Sequence, residues 1–118
     1  MLEAYRPGRV EQLLALLDPG IEWVGTRDWI EQEVWYGHAG VRAGLERFLS
    51  EWDDFRHDLE EFRDGGDRFA VITRMHGTAR HTGIHTERRT AGVCEVRDGL
   101  IVRIVGYDDP EAALAAIG

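Results

Sequence analysis

The stretch Arg68-Phe69-Ala70-Val71-Ile72-Thr73-Arg74-Met75-His76-Gly77-Thr78-Ala79-Arg80 decides the fold. It contains no proline, is rich in apolar and β-branched side chains, and lies between two turn signals, Asp64-Gly65-Gly66-Asp67 and Thr82-Gly83. Such a segment is a strand. Farther along, Asp98-Gly99 is a dipeptide favoured in two-residue hairpins. Turn signals at this spacing predict an antiparallel meander with strands near 56–63, 68–80, 86–97 and 100–107. Asp109-Pro110-Glu111 then predicts a closing helix over Ala112 to Ile117, with the aspartate as cap and the proline at the first helical position.

Upstream of the meander the periodicity is helical. Val10, Leu13, Leu14 and Leu17 follow the i, i+3, i+4, i+7 rule until Pro19-Gly20 stops them. Ile21 to Val24 reads as a short strand, and Gly25 to Gly37 as a loop rich in aromatic and acidic residues. A second helix places Val41, Leu45, Phe48, Leu49 and Trp52 on one face. The whole chain, 1–118, therefore reads as one α+β domain whose sheet packs on helices.

Composition narrows the partners. Hydrophobic residues make up 43% and charged residues 31%, which excludes intrinsic disorder, and no apolar run approaches the ~20 residues of a membrane span. A formal net charge of −8 with no basic stripe argues against nucleic acid and against an anionic membrane surface, which leaves a small molecule as the expected partner. Cys94 is the only cysteine, so an internal disulfide is impossible. All 14 basic residues are arginine, a usage associated with GC-rich bacterial genomes, and lysine Schiff-base chemistry is excluded. Met1 to Arg9 has no apolar stretch of signal-peptide length, and a cytoplasmic location is expected.

Three runs together resemble a known family: Leu13-Leu14-Ala15-Leu16-Leu17-Asp18-Pro19-Gly20-Ile21-Glu22-Trp23, Tyr36-Gly37-His38-Ala39-Gly40-Val41-Arg42, and Asp98-Gly99-Leu100-Ile101-Val102-Arg103-Ile104 followed by Tyr107-Asp108. In this order they look like the SnoaL-like branch of the nuclear transport factor 2-like superfamily. The resemblance implies a cone-shaped, curved antiparallel sheet packed on N-terminal helices around a largely apolar pocket, usually in a homodimer. It implies no single activity, because this fold hosts isomerases, cyclases, dehydratases, epoxide hydrolases and non-catalytic binders. The sequence departs from the family at its start, where only Leu2 to Tyr5 precede Arg6-Pro7-Gly8 and the usual longer first helix has no counterpart.

Alternation along the strand at 68–80 puts Ala70, Ile72, Arg74, His76 and Thr78 on one face and Phe69, Val71, Thr73, Met75 and Gly77 on the other. Hydrophobicity favours the Phe69 and Met75 set as the inner one. The resemblance favours the opposite, because in limonene-epoxide hydrolases of this fold an Arg-x-Asp pair points into the pocket and Arg74-Met75-His76 falls on that pattern. Histidine replaces the aspartate, and a further acid of those hydrolases falls at Gly106, so their triad is not reproduced. In the inward reading Arg74 and His76 are the catalytic candidates. Arg74 polarises the substrate and pairs with Asp28, Glu31, Glu33, Asp53 or Asp54, while His76 serves as acid or base with its ordinary pKa of about 6.5. Phe69, Val71 and Met75 would then form a second apolar face in need of cover, which predicts a homodimer.

The ligand-binding candidates are of two kinds. Thr90, Gly92, Cys94 and Gly106 are small where a filled core would be large, which suits a cavity floor. Trp23, Trp29, Tyr36 and Trp52, with Trp35 among them, suit an aromatic wall or lid. Ketosteroid isomerases of the superfamily carry a catalytic aspartate where this chain has Trp23, which argues against their chemistry. No cofactor is expected. His81 and His85 flank a turn but bring no evident third ligand, so no metal is expected either. Two functions remain: an isomerase-, cyclase- or hydrolase-type enzyme acting on an apolar cyclic or polyketide-like substrate, or a non-catalytic ligand-binding or dimerisation module.

Overall fold

The computed structural model describes residues 10–25 and 34–117. Along the chain run helix α1 (Val10–Leu14), strands β1 (Leu17–Val24) and β2 (Val34–Tyr36), helix α2 (Gly37–Ser50), strands β3 (Trp52–Asp64), β4 (Arg68–Ala79), β5 (His85–Arg97) and β6 (Leu100–Tyr107), and helix α3 (Pro110–Ile117). The strands form one six-stranded sheet in the order β2-β1-β6-β5-β4-β3. Neighbours are antiparallel except β1 and β6, which run parallel. The sheet is curved and does not close. Register irregularities in β3, between Asp53 and Arg56 and again between Leu59 and Glu61, are bulges of the kind that bend a strand.

The meander follows the expected turns. Asp98 and Gly99 have φ of 54° and 80°, the left-handed pair that a two-residue hairpin of this twist requires. Asp109 caps α3, its side-chain Oδ1 accepting from the Glu111 backbone N–H at 3.0 Å. The first helix is shorter than expected. It stops at Leu14 because Leu17 pairs with Ile101 and draws the chain into β1, with Pro19 and Gly20 in the irregular stretch before pairing resumes at Glu22. The expected loop at 25–37 ends in β2, a three-residue edge strand too brief to show a period.

Helices cover both faces of the sheet. On the concave face Leu13 and Leu14 of α1 and Val41 and Leu45 of α2 form a buried cluster with Leu17, Ile21, Cys94, Ile101 and Ile104. On the outer face Ala113 of α3, with Leu114 and Ile117, packs over Ile72, Ala91 and Val93. The expectation of a bare apolar face at Phe69, Val71 and Met75 is corrected: Val71 and Met75 are buried at 6% and 8% exposure on the concave side, Phe69 packs against the main cluster there, and α3 covers the opposite face. Among the described residues no helix is long and apolar enough to cross a membrane.

Candidate functional site

Between α2 and the concave face lies a cavity of about 490 Å³, within the range of small-molecule sites. Its floor comes from Val71, Thr73 and Met75 of β4, Thr90, Gly92 and Cys94 of β5, and Ile104 and Gly106 of β6. The side toward the sheet edge is Phe55 and His57 of β3. Trp23, Trp35, Val41, Gly44, Leu45 and Phe48 complete the walls. Gly44 is required for this shape, because a Cβ there would stand 2.8 Å from the Trp35 ring.

An aromatic ladder stiffens one wall. Phe48 meets Phe55 edge-on with ring centroids 5.1 Å apart, Phe55 lies 5.7 Å from the His57 ring, and Trp52 tilts against Phe48 at 6.2 Å. Trp52 rests on the backbone of Gly77, where a Cβ would come within 2.8 Å of its ring. It therefore stands one layer behind the cavity and supports Phe48.

Across the floor runs a short polar strip. Thr73 and Thr90 are directly opposed in the β4–β5 register, with hydroxyl oxygens 3.2 Å apart, and Thr73 Oγ1 is 2.6 Å from His57 Nε2. Burial pulls the His57 pKa down to about 4, although the negative charge of Asp58 acts in the other direction. His57 is thus a neutral imidazole at pH 7. Cys94 is a neutral floor residue for the same physical reason, burial pushing its thiol up to about 12.

Of the residues chosen from sequence, Trp23, Thr90, Gly92, Cys94 and Gly106 line the cavity. Tyr36 is 66% exposed and outside the lining. Trp29 lies outside the described residues, as do Asp28, Glu31 and Glu33. The inward placement of Arg74 and His76 is corrected: both lie on the outer face of β4. Arg74 Nε donates to Glu60 at 3.1 Å and Nη1 to Glu87 at 2.9 Å, hydrogen bonds that raise its pKa further. His76 Nε2 is 3.1 Å from Asp58. The physical reason is charge: a guanidinium on the concave side would have no carboxylate in the apolar floor, whereas Glu60 and Glu87 stand beside it on the outer side. Asp53, offered as its partner, pairs with Arg80 at 3.1 Å.

Sequence reasoning missed His57. The signal was its place between Phe55 and Leu59 in the period-two set of β3, obscured by the charged neighbours Arg56 and Asp58.

Comparison with known proteins agrees with this architecture. An NTF2-like protein of unknown function from Burkholderia pseudomallei superposes with a TM-score of 0.80 at 21% identity, over 98% of this chain and 90% of that one. A putative SnoaL-like polyketide cyclase from Jannaschia sp. gives 0.78 at 15% identity, covering 97% and 81%. TerC, co-crystallised with polyporic acid, gives 0.76 at 23% identity, covering 97% and 92%. No curated protein matches the chain. Residues 1–104 match the SnoaL-like domain, and with the curved sheet, the helices and the cavity described above the chain belongs to that family.

Proposed function

We propose that the cavity binds a flat apolar molecule carrying a ketone or enol oxygen, and that the protein is an isomerase- or cyclase-type enzyme acting by proton transfer beside that oxygen. The polar strip His57–Thr73–Thr90, set in a largely apolar enclosure to which Arg47, Glu51 and Tyr107 also contribute, carries this reading. The apolar body of the ligand would lie against Trp23, Trp35 and Phe48. Its oxygen would meet the threonine hydroxyls.

The chemistry follows from the state of His57. With a pKa near 4 it is fully unprotonated at neutral pH and has the basicity of a carboxylate, without bringing a negative charge into an apolar site. A C–H bond next to the carbonyl breaks, the proton goes to His57, and the electron pair collects on the oxygen. A hydroxyl of the strip stabilises that oxygen by a hydrogen bond. Return of the proton to a different carbon completes an isomerisation, while attack of the enolate on a second carbonyl closes a ring. Two structural neighbours, a putative polyketide cyclase and a protein crystallised with polyporic acid, are compatible with such a ligand.

The test uses 2-tetralone, a bicyclic ketone with an exchangeable α-carbon, and tetralin, the matching hydrocarbon. Tryptophan fluorescence reads binding, and NMR in D₂O reads deuterium entry at the α-carbon. The parent should bind the ketone and speed exchange at least tenfold over buffer, and His57→Gln should bind it with the acceleration lost. Binding without acceleration by the parent would replace the enzyme by the ligand-binding module. Failure to bind either compound would mean that the cavity is not a site for flat apolar ketones.

A further inference from the structure

The outer face of the sheet carries a second cluster of chemistry-bearing side chains, separate from the cavity. His76 on β4 is opposite Glu87 on β5, and His85 is opposite Thr78, one diagonal step farther along the same face. Strand pleating therefore points all three side chains to one side, and one ligand atom from each lies within 4.8 Å of the others. The pairing that sequence suggested for His85, with His81 across the turn, is superseded by one across the ladder.

Groups behind them orient two of the three. His76 Nε2 lies 3.1 Å from Asp58 Oδ2 on β3, which turns Nδ1 toward Glu87 Oε2 at 3.7 Å. Glu87 in turn has its other oxygen, Oε1, held by Arg74 Nη1 at 2.9 Å. A carboxylate behind a histidine and a donor behind a carboxylate are the outer-shell arrangements that fix metal ligands in orientation. Two ligands of a tetrahedral zinc ion stand about 3.3 Å apart, given bonds of about 2.0–2.1 Å. The 3.7 Å gap between His76 and Glu87 is near that span, and the exposed His85 side chain stands within 4.8 Å of both on the third side.

We propose that His76 Nδ1, His85 and Glu87 form a binding site for Zn²⁺ or a divalent transition ion of its class, with water in the fourth position. Two imidazoles with one carboxylate suit zinc, cobalt, nickel and copper, and disfavour magnesium and calcium. The ion would tie the β4–β5 hairpin together and, through Asp58, engage the edge strand β3.

The experiment takes the full chain, dialysed against chelator, and titrates it with Zn²⁺ in competition with a chromogenic chelator, then with Co²⁺ to read coordination from the visible spectrum. The expected result is one equivalent bound in the micromolar range or tighter, with the intense visible bands of four-coordinate cobalt. His76→Ala and His85→Ala should each weaken binding at least tenfold, Asp58→Asn should weaken it 10- to 100-fold as an orienting group does, and His81→Ala should leave it unchanged. Circular dichroism checks that each variant keeps the parent fold. The proposal is overturned if the parent binds no more tightly than the His76→Ala/His85→Ala double variant, if millimolar Mg²⁺ displaces the zinc, or if cobalt remains octahedral.

Discussion

Two sets of side chains alternate along β4 under the same backbone and meet opposite environments. Val71, Thr73 and Met75 face the cavity, and the one polar group among them is hydrogen-bonded to both His57 and Thr90. Ile72, Arg74 and His76 face outward, where α3 covers Ile72 and a network of Glu60, Asp58 and Glu87 surrounds the other two. On the covered side a single hydroxyl matters, because a buried polar atom without its partner loses the full cost of its desolvation. On the open side a full positive charge matters little, because water screens it and competes for it. Charge therefore says less about energetic weight than the medium does.

The largest expected effect lies on the cavity side and depends on pH. The folded pKa of His57 is lowered to about 4 from an unfolded value of 6.5, so the unfolded chain binds more protons between these limits. The stability tied to His57 is fully present above pH 6.5 and is lost as pH falls toward 4, by about 3 kcal/mol at 1.36 kcal/mol per unit. Urea unfolding of the parent and of His57→Gln at pH 7.5, 6, 5 and 4 isolates this term. Parallel pH curves for the two proteins would show that His57 is solvated.

The next effect is steric and sharpens the contrast between filled and open space. Gly44→Leu drives a side chain into the Trp35 ring, and overpacking of this kind costs about 1–3 kcal/mol. It should also abolish uptake of 2-tetralone by narrowing the cavity. Unchanged thermal unfolding together with unchanged binding would mean that Trp35 does not form the wall.

The smallest effects set the two faces side by side. Thr73→Val keeps the shape and removes the bridging hydroxyl, at an expected cost of about 1–2 kcal/mol and with weaker binding of the ketone than of tetralin. Arg74→Met, one residue away, should change stability less than Thr73→Val does, since its carboxylate partners lie in a solvent-screened network, and should leave ketone binding unchanged. If the arginine substitution is the one that impairs the ketone, the assignment of faces is inverted.

Much of the architecture was legible from local chemistry. Asp98-Gly99 marked its hairpin because only a left-handed pair makes that turn, and Asp109-Pro110 marked the start of α3 because a cap and a preset φ act within one helical turn. The small floor residues Gly92, Cys94 and Gly106 were also readable, since their size is a property of each residue alone. The extent of α1 was not, because pairing of Leu17 with Ile101 competes with helix across 84 positions of sequence.

By itself, then, the sequence determined the four strands of the meander, their turns, the alternation of β4 and the family. Which side of β4 faces the cavity was decided only by the tertiary structure, because Phe69-Ala70-Val71-Ile72 is apolar on both sides and the choice depends on where α2 and α3 dock. The same holds for His57. Its neighbours in the chain, Arg56 and Asp58, are exposed, and only the opposing strand, which brings Thr73 to 2.6 Å, together with the helix above, which brings Phe48 against Phe55, makes that histidine part of a buried site.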